Sequence, residues 1–313
     1  MKAKTIKKIL RTKIDGWLKT IEDEKVRDLA SDSVIVTGGA IASMLLNEPV
    51  NDFDIYFRSH TAAWAVGSYY IGKFEAKNKN GIACTITLND KAGRIRCIVK
   101  SAGIASEEGT TRPYQYFEAR PAGEADAYVS EVMTDAGEIE DRYVETEKAA
   151  LEITDTEKPK YRPVFLSTNA ITLSHKIQII LRFYGEPDEI HENYDFTHCT
   201  NYWTSWDDKL VLRPVALECL LAKELRYVGS KYPVCSVMRL RKFIARGWQV
   251  NAGQILKMLM QINALNLLDP RVLEDQLTGV DSAYFAEVTH ALHEKDSEKV
   301  NTAYLVEIID RMF

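Results

Sequence analysis

The chain has 313 residues, 46% of them apolar and 27% charged, which is enough to bury a core without disulfide or metal staples. Its net charge of -5 at pH 7 excludes a basic coat for nucleic acid or for a membrane surface, so any contact with a polyanion has to be local. The five cysteines are odd in number and show no CxxC spacing, so they predict reduced thiols in a cytoplasmic protein rather than a zinc knuckle or a disulfide framework. The basic N-terminus lacks the apolar stretch of a signal peptide, and no run approaches the roughly 18 apolar residues of a membrane span.

Residues 3–30 carry Ile6, Ile9, Leu10, Ile14, Trp17, Leu18 and Ile21 at helical spacing, which predicts an amphipathic helix. Val34–Val36 reads as a short strand, Thr37-Gly38-Gly39 as its turn, Ala40–Leu46 as a helix and Val50–Phe57 as a second strand. Segments 82–88 and 94–99 alternate as a hairpin does. Residues 103–146, rich in Gly, Glu, Asp and Thr, read as an elaborated insertion. Val164–Leu166 and Ala170–Leu173 are apolar stretches, Lys176–Phe183 a strand, Gly185–Ile190 the start of a short helix and Asp195–Trp203 another strand. From Pro214 onward helices are expected over 214–228, 234–246, 252–263, 270–276, 282–293 and 298–312.

The chemistry concentrates in the strand–turn–helix–strand unit. Side chains alternate along a strand, so Asp52, Asp54 and Tyr56 share one face while Phe53, Ile55 and Phe57 share the other. Two carboxylates about 7 Å apart at Cα repel each other unless a cation stands between them, and hard cations with oxygen ligands suit them. Glycines at 38 and 39 let the backbone approach phosphate oxygens, the following helix offers unpaired N–H groups, and Ser43 adds a hydroxyl. The plainer alternative is a turn followed by two solvated aspartates on an edge strand.

These residues, Gly38-Gly39 followed by Asp52-x-Asp54, resemble the signature of the DNA polymerase β-like nucleotidyltransferase superfamily. The stretch GGAIASMLLNEPVNDFDI is similar to the heads of tRNA nucleotidyltransferases and bacterial poly(A) polymerases. Ala42-Ser43 stands where the tRNA-type heads carry Arg-Asp, a departure from the CCA-adding pattern. The resemblance implies that Asp52 and Asp54 hold two magnesium ions, with manganese as a substitute, and that Gly38, Gly39 and Ser43 surround the triphosphate of an NTP. It also implies a third acid. Segment 177–199 is similar to the end of the catalytic domain in viral and ankyrin-associated relatives, which makes Asp195 that acid and a metal ligand, with Glu118 and Glu131 as competitors. In the alternative reading Asp195 caps a helix or starts a solvated strand. Arg239, Lys242 and Arg246 resemble the RxxK(Y/F)xxRG element of the same relatives; at i, i+3 and i+7 they line one helical face and suit a triphosphate or an RNA backbone, against the alternative of a solvated helix. Lys176, Arg182, Lys223 and Arg226 extend that patch. Tyr184, Tyr202, Trp203 and Trp206 read either as packing or as a base platform, and His290 and His293 as surface histidines.

The expected fold is α+β: a helix over 1–30, a nucleotidyltransferase-type mixed sheet with flanking helices over 31–205 with an insertion at about 60–165, and a helical domain over 206–313. The expected reaction moves an NMP from an NTP to an acceptor hydroxyl, first of all on RNA, and releases pyrophosphate, in the cytoplasm (the host's, if the chain is viral). A toxin-like protein-modifying transferase and a retired, purely binding protein on the same fold are the rivals.

Overall fold

The computed structural model describes residues 1–77, 84–90, 94–101, 160–166, 170–269, 272, 273 and 276. Glu118, Glu131, the insertion over 103–146, His290, His293 and the helices expected over 282–293 and 298–312 lie outside the described residues. The chain is α+β and divides into two compact units. Among the described residues the first unit takes those up to Ser101, those from 160 to His191, and His198–Leu220; the second takes Glu192–Thr197 and those from Leu221 onward.

The first unit is built on a seven-stranded sheet in the order β5-β6-β7-β2-β1-β8-β9. Its strands are β1 (Val34–Thr37), β2 (Phe53–Phe57), β5 (Pro163–Leu166), β6 (Ala170–Leu173), β7 (Ile177–Tyr184), β8 (Tyr202–Thr204) and β9 (Lys209–Val211). All pairings among them are antiparallel except that of β2 with β7. Between them the chain forms the antiparallel hairpin β3 (Cys84–Asp90) and β4 (Ile95–Ser101), as its alternation predicts. β2 is the fourth strand of seven, so the edge-strand reading of the Asp-x-Asp segment does not hold.

The two faces of this sheet differ in kind. Residues directly across a pairing point to the same side. One side collects Val34, Val36, Phe53, Ile55, Phe57, Ile177, Ile179, Leu181, Ile171, Leu173 and Trp203, all buried. Against it pack α1 (Ala3–Leu18), through Ile6, Leu10, Ile14 and Trp17, then α3 (Gly39–Leu46) and α4 (His60–Lys77), through Ala62, Ala63, Val66 and Tyr70. Trp17 Nε1 donates to Tyr70 Oη at 2.7 Å inside this core, which satisfies two polar groups that burial would otherwise penalise. The other side carries the polar residues considered below.

The single helix expected over residues 3–30 is two. α1 ends at Leu18, and α2 (Glu24–Ser31) restarts where the Asp23 carboxylate accepts from Lys25 and Val26 N–H at 2.9 and 3.2 Å, an N-cap that outweighs continued periodicity. The strand expected over Asp195–Trp203 begins only at Tyr202. The Asp195 carbonyl accepts from Val228 N–H, Phe196 bridges Tyr227 and Thr197 N–H donates to Arg226, so this backbone is satisfied within the second unit. α5 (Pro187–His191) follows β7 as expected, and α6 (Pro214–Ala222) stops six residues before the expected 228.

The second unit is helical, with α7 (Pro233–Ala245) packed on α8 (Ala252–Asn263). Phe196, Tyr227, Phe243 and Trp248 form an edge-to-face aromatic chain with centroids 5.5 to 6.0 Å apart. Gly247, at φ 79, ends α7 in the left-handed conformation that lets Trp248 N–H turn back to Phe243 O. No described helix is long and apolar enough to cross a membrane.

Candidate active site

β1 runs into its turn at Thr37. Gly38 is buried and adopts φ 87, ψ -147, a conformation that L side chains rarely tolerate, and this swings the chain into α3. Gly39, the first helical residue, is exposed, and a Cβ placed there would meet no atom within 4 Å. The turn therefore presents bare backbone at a helix N-terminus with room above it, as phosphate binding requires. Ser43 lies one turn further along the same helix and is buried.

The carboxylates reach this turn through the sheet. Thr37, the residue before Gly38, stands directly opposite Asp54 in the β1–β2 register, which brings the two Cα atoms to about 5 Å. On the other side Asp54 pairs with Gln178 of β7, and Gln178 with Thr172 of β6; beyond Thr37 comes Tyr202 of β8. A polar row, Tyr202–Thr37–Asp54–Gln178–Thr172, thus crosses five strands on the face opposite the core. Asp52, just ahead of β2, and Asp54 are both half-buried. Among the described residues no cluster of three or more His, Cys, Asp or Glu side chains could ligate a metal. Two carboxylates still fit magnesium, which is commonly held by one or two carboxylates, water and substrate phosphates.

A second cluster sits beside the row, and nothing local in the sequence marks it. Thr37 Oγ1 lies 2.8 Å from His191 Nε2, and 2.9 and 3.3 Å from the carbonyls of Asn201 and Cys199. Gly38 N–H donates to the same Cys199 carbonyl at 3.1 Å. His191 Nδ1 lies 3.1 Å from Arg213 Nη2, which also contacts the Asp188 carboxylate. Burial, and next the nearby Arg213 charge, push the His191 pKa down to about 4, so the ring is neutral at pH 7. Tyr202 lies 5.7 Å from the His191 ring and 5.6 Å from the Arg213 guanidinium, so it is the one expected base-platform aromatic on the polar row. Trp203 is buried and donates to Asp208, Trp206 lies 4.6 Å beneath Arg58, and Tyr184 packs edge-on against His60.

The remaining expected site residues belong to the second unit. Asp195 is 5% exposed and lies on a bend rather than a strand, with Arg239 Nη1 on its Oδ2. Arg239 therefore directs its guanidinium to a carboxylate of its own unit, while Lys242 and Arg246, further along the same face of α7, are exposed. Lys176, in the first unit, donates to the Val50 carbonyl at 3.1 Å.

Comparison with known proteins adds a family. Residues 8–223 match the sequence model of the Gabija anti-defense 2 family. No curated protein matches the chain. Among solved structures, a Thermotoga maritima CCA-adding enzyme complexed with tRNA-CCA is similar at 13% identity and a TM-score of 0.37, over 90% of this chain and 54% of that one. The chain thus spans about half the length of that enzyme, and a likeness so weak bears on neither fold nor function.

Proposed function

This chain belongs to the Gabija anti-defense 2 family, and on that premise we propose that it is a metal-dependent nucleotidyltransferase that moves an NMP from an NTP to an acceptor hydroxyl. One observation supports this above the others: the glycine turn and the carboxylate strand, separate in sequence, are adjacent strands in register, with Thr37 opposite Asp54. Gly38, whose own N–H is held by the Cys199 carbonyl, shapes the turn that seats the triphosphate, Gly39 supplies a backbone N–H and Ser43 a hydroxyl, in the open space over Gly39. Asp52 and Asp54 would hold two divalent ions, magnesium or manganese, since such ions are commonly bound by one or two carboxylates together with substrate phosphates. When bound, these ions neutralise charge on the triphosphate and hold attack in line with the leaving pyrophosphate. Asp195 enters this scheme, as third metal ligand or proton acceptor, only by exchanging Arg239 for a cation or the acceptor hydroxyl. Arg239, Lys242 and Arg246 are the proposed contacts to the NTP or to RNA.

RNA is the first proposed acceptor. The family name favours a second reading, in which the acceptor is a hydroxyl on a protein of the Gabija defense. Incubation with each labelled NTP, magnesium, total RNA and separately the defense proteins decides between them. Label in RNA supports the first reading and label in protein the second; no metal-dependent label in any arm removes the transferase assignment and leaves a binding protein.

A further inference from the structure

The metal and phosphate chemistry above leaves His191 and Arg213 without a task, although His191 is buried against the residue that precedes the glycine turn. The contacts have a direction. Arginine has donors only, so at 3.1 Å from Arg213 Nη2 the Nδ1 atom of His191 accepts. A neutral imidazole has one N–H, which is then on Nε2 and donates to Thr37 Oγ1 at 2.8 Å. The Thr37 hydroxyl proton is left for the Asn201 carbonyl, 2.9 Å away. With Gly38 N–H on Cys199 O, both residues at which the backbone turns are tied to the loop 199–201. The tie continues through His191 to Arg213 and Asp188. Arg213 is itself bound into that loop, because its backbone N–H donates to Asn201 Oδ1 at 2.8 Å. Each of these contacts pairs a donor with an acceptor.

We infer that His191 is a positioning residue: by donating to Thr37 it holds the Gly38–Gly39 turn at the level of the sheet where Asp54 stands opposite, so that nucleotide phosphates and carboxylates meet in one place. The inference rests on reading the turn as the nucleotide's seat. Arg213 fixes the tautomer that makes this donation, and Asp188 orients Arg213. His191 touches neither substrate nor metal, so its loss is felt as weaker nucleotide binding by a folded protein. The loss is that of a single hydrogen bond, about five- to tenfold in affinity.

The test titrates full-length protein with each of the four NTPs and magnesium by calorimetry, for wild type, Thr37→Val, His191→Ala, His191→Gln and the Thr37→Val/His191→Ala double variant. Glutamine carries an amide N–H at about the reach of imidazole Nε2, so His191→Gln is expected to keep wild-type affinity. Thr37→Val and His191→Ala are each expected to weaken binding at least about five- to tenfold, and the double variant by no more than Thr37→Val alone, since Thr37→Val already removes the bond to His191 together with that to the Asn201 carbonyl. Wild-type affinity in Thr37→Val, or no rescue by glutamine, overturns the inference and leaves the proposed function standing. Absence of NTP binding by the wild type overturns the proposed function and the inference with it. A second readout needs no nucleotide: long-range 15N–1H spectra are expected to show His191 neutral with its proton on Nε2, and a proton on Nδ1 overturns the positioning role whatever binds. Should His191→Ala fail to fold, the near-isosteric Thr37→Val and the spectra carry the decision.

Discussion

Asp54 and Asp195 were both expected to hold metal, and their surroundings now differ. Asp54 stands half-buried on the central strand of a seven-stranded sheet, opposite Thr37 and one residue from a turn with open space above it. Asp195 is buried on a bend of the helical unit with the Arg239 guanidinium on its carboxylate. The first lies beside a glycine turn with open space over Gly39; the second has a guanidinium on its carboxylate. A carboxylate's residue type and strand spacing thus say less about its role than what stands across from it.

That contrast predicts opposite trade-offs on mutation. Asp54→Asn is expected to lower transfer by about 10³-fold or more, on the scale of several kcal/mol of charge stabilisation, with the melting temperature unchanged or raised. Parallel initial-rate and thermal-melt measurements check it, and near-normal transfer in both Asp54→Asn and Asp52→Asn would sink the metal assignment. Asp195→Ala is expected to lower stability, by less than the ~3–5 kcal/mol of a fully buried pair because Arg239 is 42% exposed on its side chain. A double-mutant cycle with Arg239→Met under urea measures the coupling. If Asp195 also accepts the proton, transfer falls by about 10²–10⁴-fold at nearly constant NTP affinity, and Glu118→Gln and Glu131→Gln stay active; a dead Glu118 or Glu131 variant beside an active Asp195→Ala moves the third acid elsewhere.

The two glycines sharpen the comparison within the turn. Gly38→Ala forces a side chain into φ 87 and is expected to cost about 1–3 kcal/mol of stability, read by urea unfolding. Gly39→Ala meets no atom and no strain, so its melting temperature is expected to hold while NTP–magnesium affinity falls; unchanged affinity makes the turn merely structural.

A further effect expected is one of pH. The His191 pKa lies near 4 in the folded chain against an ordinary 6.5, so between these values the unfolded chain binds the extra proton. The contribution is complete above about pH 6.5, declines as pH falls, and is gone near pH 4, at most about 3 kcal/mol in all. Unfolding free energies of wild type minus His191→Gln across pH 7 to 4 measure it, and parallel curves for the two proteins refute it.

Length and composition, the strand–turn–helix–strand order and the shared face of Asp54 and Tyr56 were determined by the sequence alone, because each depends on contacts within a few residues and on periods of 2 and 3.6. The α1–α2 break was also written locally, in Asp23, though periodicity concealed it. Only the tertiary structure decided that β2 is central, that Asp54 faces Thr37 on one side and Gln178 on the other, that Asp195 meets Arg239, and that His191 reaches Thr37 across 154 positions. No local pattern encodes those meetings. They follow from which strands bury their apolar faces against α1, α3 and α4, and that burial brings the polar faces of distant segments together on the other side of the sheet.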